Sequence, residues 1–91
     1  MRIATWNLQR ATVNTSRTRK ILDWIKEVQA DIWILTETDE RISPGSDYLP
    51  IHTDRAEQTQ RETEKWVVIW SRFPHVELLP STDSSRTAIA L

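Results

Sequence analysis

The 91-residue chain has no cysteine, a single glycine at Gly45 and no long apolar run. Without cysteine, disulfide scaffolds, thiolate zinc sites and thiol nucleophiles are excluded. A single glycine cannot build the glycine-rich loops that hold nucleotide phosphates. The longest apolar runs, residues 66–70 and 32–35, are too short to cross a membrane, and the first residues lack the apolar stretch of a signal peptide. We therefore expect a cytoplasmic protein with no membrane partner.

Charge of neither sign is in excess: 12 lysines and arginines stand against 13 aspartates and glutamates, and the formal net charge is −1. Because sequence-independent binding to nucleic acid needs an excess of positive charge, this balance does not favour DNA as a partner, although it leaves room for a local basic patch. Hydrophobic residues make up 38% and charged residues 27%, which is typical of a globular domain. The chain closes on a mostly apolar run, residues 87–91, so we expect residues 1–91 to be one truncated domain.

The first part of the chain predicts a strand, a helix and a second strand. Apolar and β-branched residues at 2–6 predict a short buried strand, and residues 32–35 predict another. Between them, a helix is predicted over residues 16–30, with Asn14, Thr15 or Ser16 as its N-cap. The apolar stripe of that helix comprises Ile21, Leu22, Trp24, Ile25 and Val28.

Further strands are predicted beyond this unit. The predicted segments are a loop at 38–47, an edge strand at 48–53 that contains Pro50, a charged loop or helical turn at 54–65, a strong strand at 66–70, a short strand at 76–79, and a final strand at the chain end. A β-α-β unit followed by several strands indicates an α/β or α+β domain with a mixed sheet.

Two polar side chains follow the two strands of the β-α-β unit. Asn7 lies at the carboxyl end of the first strand and Glu37 at that of the second. If these parallel strands are neighbours about 4.8 Å apart, the two side chains can converge on one ligand. A carboxylate beside a neutral amide suits a hard divalent cation such as Mg²⁺. Alternatively, Asn7 caps a turn and Glu37 is a solvated strand end, and the spacing alone favours this alternative.

Three segments in order carry a resemblance to a known family. They are Trp6-Asn7, residues 31–37 (DIWILTE) and residues 67–74 (VVIWSRFP), followed by Arg86 and the run to Leu91. Together they resemble the opening of the endonuclease/exonuclease/phosphatase superfamily, which includes exonuclease III-like repair nucleases, deoxyribonuclease I and inositol-phosphate phosphatases.

The resemblance implies the N-terminal part of a four-layer α/β sandwich and metal-dependent hydrolysis of a phosphodiester or phosphomonoester. It implies that Glu37 is the carboxylate that binds Mg²⁺ or Mn²⁺. It also implies that Asn7 helps to bind the metal and the scissile phosphate. Arg10, in the loop that starts beside Asn7, is a candidate for contact with the substrate phosphate.

Other features of the family are missing from the chain. Its water-activating histidine and the paired aspartate come from D-x-N and S-D-H motifs that this sequence lacks, and His52 and His75 match neither position. We therefore expect the 91 residues alone to be inactive. Family members that cut DNA often carry a lysine just after the glutamate, whereas Thr38-Asp39-Glu40 follows Glu37 here. The resulting cluster of three acids, Glu37, Asp39 and Glu40, argues against DNA as substrate.

A hypothesis of a different class is a small, non-catalytic α/β module. An unpaired apolar edge on the last strand would let it self-associate or bind a protein partner. The five tryptophans fall on the helix stripe or within strands, so we expect them to form core rather than to stack on bases.

Overall fold

The computed structural model of the chain describes residues 1–52, 62–73, 78–79 and 89–90. The elements in these residues are β1 (Ile3–Asn7), α1 (Ser16–Val28), β2 (Ile32–Asp39), β3 (Leu49–His52), β4 (Glu64–Ser71), β5 (Leu78–Leu79) and β6 (Ile89–Ala90). The predictions for His75, for Arg86 and for most of the final strand fall outside the described residues.

The main sheet has four strands in the order β1-β2-β4-β3. β1 runs parallel to β2, whereas β2 and β3 both pair antiparallel with β4. β5 and β6 form a separate antiparallel pair. The predicted β-α-β unit with neighbouring parallel strands is therefore confirmed, and the domain is α+β with a mixed sheet.

The helix α1 begins and ends through local backbone chemistry. The Thr15 hydroxyl caps its first turn by accepting a hydrogen bond from Thr18 N at 3.1 Å. The helix stops two residues earlier than predicted because Gln29 adopts a left-handed conformation, with its N–H donating to the carbonyl of Ile25. In the described residues, no helix is long and apolar enough to cross a membrane.

Trp24 does not join the core, contrary to the prediction from the helix stripe. The side chains that α1 buries are Thr18, Ile21 and Ile25, whereas Trp24 is 62% exposed. One residue along a helix is a rotation of about 100°, which turns Trp24 away from the buried line through Ile21 and Ile25. Of the other tryptophans, Trp33 and Trp70 are buried as expected.

The core lies between α1 and one face of the sheet. Its buried hydrophobic members are Leu8, Ala11, Ile21, Ile25, Ala30, Trp33, Leu35, Ile42, Tyr48, Val68 and Trp70. Side chains on the opposite face belong to the row Thr5, Ile34, Ile69 and Ile51, which the strand registers place side by side. The three isoleucines of this row are partly exposed, so the second face of the sheet is apolar and only partly covered.

Two strands are longer than the sequence pattern predicted. β2 continues through Thr38 and Asp39, which were expected to begin a loop, and β4 starts at Glu64 rather than Trp66. The reason is that these polar ends pair with each other, Thr38 with Lys65 and Asp39 with Glu64. The predicted edge strand is confirmed as β3, at the sheet margin, where a proline is tolerated because one side of the strand needs no partner.

Candidate functional site

The carboxyl ends of β1 and β2 meet at the same edge of the sheet. Asn7 is the register partner of Thr36, the residue before Glu37. The pairing continues past β1, because Leu8 N donates to Thr36 O at 2.9 Å and Arg10 N donates to Glu37 O at 2.7 Å. The structure therefore places the backbones of Asn7, Arg10 and Glu37 next to one another.

A tight turn follows Asn7 and engages its side chain. Gln9 and Arg10 both have positive φ angles, and Ala11 N donates to Leu8 O at 3.1 Å, which makes residues 8–11 a type I′ turn. Asn7 Oδ1 accepts a hydrogen bond from Gln9 N at 2.8 Å, so Asn7 does cap a turn. Only Oδ1 can ligate a cation, whereas the Nδ2 group is a donor and has no hydrogen-bond partner in the described chain. Its Nδ2 group is therefore available as a hydrogen-bond donor.

Glu37 interrupts the ladder between β2 and β4. Its φ is 48°, and the register steps from Thr36↔Val67 to Thr38↔Lys65 without a Glu37 pair. A left-handed conformation costs a residue with a side chain about 1–2 kcal/mol. In a regular strand Thr36 and Glu37 would point to opposite faces, yet both line one open depression of about 350 Å³.

The Glu37 carboxylate is available to a ligand in this depression. The remaining lining residues are Trp66 and Val67. The described part of the chain supplies Glu37 with no side-chain hydrogen bond and no ion pair. The strand registers align three residues in one row, Asn7, Thr36 and Val67. Because Thr36 and Val67 line the depression, Asn7 lies beside it.

Arg10 is held near Glu37 by a buried acid. Its Nε donates to Glu64 Oε1 at 2.7 Å, and the Glu64 side chain is 5% exposed whereas that of Arg10 is 50% exposed. The hydrogen bond to Glu64 raises the pKa of the Arg10 guanidinium, with additional contributions from the charges of Glu64 and Glu37. Sequence reasoning missed Glu64, because nothing in a charged segment distinguishes it from the neighbouring glutamates.

The three acids 37, 39 and 40 do not form one anionic cluster, so that expectation is wrong. Asp39 is buried and accepts hydrogen bonds from Arg41 Nε and Nη2, both at 3.0 Å, and from Thr63 Oγ1 at 2.8 Å. Burial raises the pKa of the Asp39 carboxyl, but the hydrogen bonds from Arg41 and Thr63 outweigh it and hold that pKa below its ordinary value. Asp39 is therefore part of the framework.

Glu40 and His52 form a separate surface pair. Glu40 Oε2 lies 3.6 Å from His52 Nε2. His52 belongs to β3, which β4 separates from β2, so it is about 10 Å across the sheet from β2. The side chains of His52 and Glu40 are 41% and 36% exposed.

Two of the donor atoms near the depression are of the types that magnesium and manganese ions use. Mg²⁺ is bound through one or two carboxylates and keeps several waters or phosphate oxygens. Glu37 supplies one unpaired carboxylate and Asn7 one amide oxygen that can use its second lone pair. Within residues 1–52 and 62–73, no group of three or more acidic or histidine side chains is placed to hold a metal ion.

No protein-family model, no curated protein and no solved structure matches the chain. The resemblance to the endonuclease/exonuclease/phosphatase superfamily therefore depends on the motif residues themselves.

Proposed function

We propose that the chain forms the N-terminal part of a metal-dependent phosphoesterase of the endonuclease/exonuclease/phosphatase type. The observation that carries this proposal is Glu37, whose carboxylate has no charged partner among the described residues and lies on strained backbone at an open depression beside Asn7. Backbone strain of this kind persists only where the surrounding structure enforces it, and it clusters at functional sites. Here the hydrogen bond from Arg10 N to Glu37 O holds the strained residue in place.

Each residue has a role that its contacts support. Glu37 holds the divalent ion, Asn7 donates its amide N–H to a phosphate oxygen, and Arg10 offers its terminal nitrogens to the same phosphate. Glu64 orients Arg10, because it engages Nε and leaves the Nη groups at the exposed end of the side chain. The ion, when bound, polarises the phosphoryl oxygen and lowers the pKa of a bound water.

Small phosphate esters fit this site better than DNA. The formal net charge of −1 provides no general attraction for a polyanion. Arg10 N donates to the Glu37 carbonyl, but the guanidinium charge of Arg10 is shared with Glu64. We therefore propose a small phosphodiester or phosphomonoester as substrate.

The four-layer sandwich is part of the same proposal. Its support is the sheet face opposite α1, where the row through Ile34, Ile69 and Ile51 is apolar and partly exposed. A second sheet packed on this face would bury those side chains and leave α1 on the outside.

The metal site is tested by titrating the chain with MnCl₂ and MgCl₂ while following tryptophan fluorescence. Trp66 lines the depression with Glu37 and is the expected reporter, so Trp66→Phe should remove most of the signal. We expect saturable binding that Glu37→Gln weakens at least about 10-fold, because the only charged ligand is lost. Glu40→Gln is the matched control and should leave binding unchanged.

Equal metal affinity in wild type and Glu37→Gln would contradict the proposal. In that case the competing interpretation, a non-catalytic module that associates through a strand edge, replaces the enzyme.

A second experiment addresses turnover. We expect the isolated chain to hydrolyse a chromogenic phosphodiester at a negligible rate, because His52 is paired with Glu40 and lies two strands from Glu37. Robust Mg²⁺-dependent hydrolysis that Glu37→Ala abolishes would keep the metal site but overturn the expectation that the chain alone is inactive.

A further inference from the structure

The free edge of β1 carries little protection against pairing with another strand. β1 is the outermost strand of the main sheet, and among the described strands it pairs only with β2. Edge strands are usually protected by charged residues, proline or a bulge, but Ile3–Asn7 (IATWN) contains no charged residue and no proline. The outward N–H and C=O groups of β1 can therefore pair with another strand.

The hydrogen bonds to β2 show which residues of β1 face outward. Leu8 N donates to Thr36 O at 2.9 Å. Arg2 O accepts a hydrogen bond from Asp31 N at 2.8 Å, so the backbone groups of the even-numbered residues point to β2. Because backbone groups alternate in direction along a strand, the outward ones belong to Ile3, Thr5 and Asn7. An added strand that pairs with all three residues is centred on Thr5.

Exposed apolar side chains concentrate beside this edge. Trp24 is 62% exposed and Ile3 is 59% exposed. Arg2 ties the two elements together at one end, because its Nη1 donates to the carbonyl of Val28 at 2.5 Å. Between the elements lies an apolar groove of about 380 Å³, and its lining residues are Ala4, Thr5, Trp6, Trp24, Val28 and Trp33. A partner that covers the edge of β1 also buries this groove.

The flank of α1 beside the groove carries both signs of charge. At about 100° per residue, the charged side chains within about 60° of Trp24 on the helix are Arg17, Lys20 and Glu27. The two cations precede Trp24 and the acid follows it. A uniformly basic or uniformly acidic partner therefore meets a like charge on this flank. A second copy of the helix, running in the opposite direction, presents its acid to the cations and its cations to the acid.

Antiparallel pairing of β1 with a second copy of β1 brings the two helices together. Such pairing is two-fold symmetric, extends the sheet in its own plane and keeps both helices on the same face. Because α1 packs over β1 and β2, a strand spacing of about 4.8 Å places the two helix axes about 10 Å apart. This is the distance at which packed helices interdigitate.

We propose that the chain forms a two-fold symmetric dimer through β1 and the Trp24 flank of α1. β1 pairs antiparallel with β1 of the second copy. Thr5 lies on the two-fold axis, and Ile3 lies opposite Asn7 of the second copy. The contact uses the backbone of Asn7 and does not involve Glu37, so this inference does not rest on the proposed function.

Side chains on the helix face of the sheet are complementary in this arrangement. Ala4 lies opposite Trp6 of the second copy, so a small side chain meets a large one. Because Trp24 lines the groove together with Ala4 and Trp6, which flank the central residue of β1, the axis passes close to Trp24. The two Trp24 side chains then cover the grooves. Lys20 and Glu27, which lie on either side of Trp24 and are exposed, pair between the copies.

Sedimentation equilibrium of the whole chain tests for the dimer. Over a range of about 1 µM to 500 µM we expect a reversible monomer–dimer equilibrium. The upper limit of the mass should be twice the 10.7 kDa of the chain. Trp24→Ala should weaken the dimer about 10-fold or more, because an aromatic side chain is lost from the contact. The exposure of Trp24 lets the fold tolerate this change.

Thr5 gives the sharpest test, because the two-fold axis places it opposite itself. Thr5→Lys and Thr5→Glu each bring like charges together across the seam, so each should dimerise at least about 5-fold more weakly than wild type. A mixture of the two variants brings opposite charges together and should associate more tightly than either variant alone. Thr5→Gln is the uncharged control and should dimerise within about 2-fold of wild type. Thr5 is exposed, so the fold tolerates all three changes.

A charge exchange on α1 tests the helix contact separately. Lys20→Glu and Glu27→Lys should each weaken the dimer about 3-fold or more, and the double variant should restore it, because the pair between the copies is re-formed with its charges exchanged. Lys26→Glu is the matched control for Lys20→Glu. Its exposed side chain points to the far side of the helix from Trp24, so the dimer should be unchanged.

Several results would overturn the inference, provided that circular dichroism shows each variant to be folded. One is a monomer at every concentration. Another is a dimer that Thr5→Lys leaves intact, which would lie at a different surface. The third is a mixture of Thr5→Lys and Thr5→Glu that associates no more tightly than the separate variants.

Discussion

Two acidic residues of the β2 segment have opposite surroundings: Asp31, directly before the strand, and Glu37, near its carboxyl end. At the start of the strand, Asp31 accepts a hydrogen bond from Arg2 N and lies 3.5 Å from Arg72 Nη1, and Arg72 N donates to the Asp31 carbonyl. The Arg72 guanidinium also lies 5.0 Å from the centre of the Tyr48 ring. Towards the other end, the described residues supply no such contacts to Glu37, which has a left-handed backbone conformation.

The difference distinguishes a carboxylate that stabilises the fold, Asp31, from one that can bind a ligand, Glu37. The backbone hydrogen bond from Arg2 lowers the pKa of the Asp31 carboxyl, burial opposes this, and the charge of Arg72 reinforces it. That carboxylate holds the starts of β1 and β2 and the end of β4 together. Asp39, two residues after Glu37, belongs to the same structural class. Of these three carboxylates, the Glu37 group is the one for which the described residues supply no side-chain partner, and its backbone is strained.

We expect the largest change in the free energy of unfolding when Asp39 is replaced. Asp39→Ala should lower the free energy of unfolding by about 3 kcal/mol, because Arg41 and Thr63 lose a buried charged acceptor. Glu40→Ala, which removes only a surface pair with His52, should stay within about 0.5 kcal/mol of wild type. Urea denaturation measures both. If the two variants cost the same, the assignment of Asp39 to the framework is wrong.

A smaller effect of opposite sign is expected at Glu37. Glu37→Gly should raise the free energy of unfolding by up to about 1 kcal/mol, since glycine adopts a positive φ without strain. The same variant should lose metal binding. Glu37→Val should be destabilising, because β-branched residues tolerate positive φ poorly. A loss of stability in Glu37→Gly would show that the carboxylate serves the fold, as Asp31 and Asp39 do.

The smallest effect concerns acid stability. The pKa values of Asp31 and Asp39 are lowered in the folded chain from an ordinary value of 3.8, so their contribution is complete above that pH and is lost as the pH falls below it. The thermal unfolding temperature should therefore fall as the pH is lowered from about 5 to about 2, the range in which these carboxylates become protonated. Asp31→Asn should flatten the decline, and a decline as steep as that of wild type in this variant would contradict the role of Asp31.

Local patterns in the sequence predicted the β-α-β unit, the edge strand with Pro50 and the adjacency of Asn7 and Glu37. The adjacency of Asn7 and Glu37 followed from the β-α-β connection, because a helix between two parallel strands leaves the carboxyl ends of those strands side by side. Helix periodicity did not locate the centre of the apolar stripe, so the exposure of Trp24 was missed. The apolar side chains of α1 span a wide arc, and only the packing against the sheet selects the buried line.

Other parts of the site depend on contacts between residues far apart in the chain. The Arg10–Glu64 pair joins residues 54 positions apart, and no local pattern encodes it. The positive φ at Glu37 could not be predicted from the sequence either, since glutamate is not a residue type enriched in left-handed backbone. The polar ends of β2 and β4 became strand because they pair with each other, which outweighs their weak strand propensity.

The central claim is that a divalent ion binds between Asn7 and Glu37, and paramagnetic broadening by Mn²⁺ in an amide NMR spectrum tests it most directly. We expect the amide signals of residues 7–10 and 36–38 to broaden first, those of Asp31 and Arg72 to stay sharp, and Glu37→Gln to remove the effect. Broadening centred on Asp23 and Glu27 or on Asp39 and Glu40, or broadening that survives in Glu37→Gln, would contradict the account.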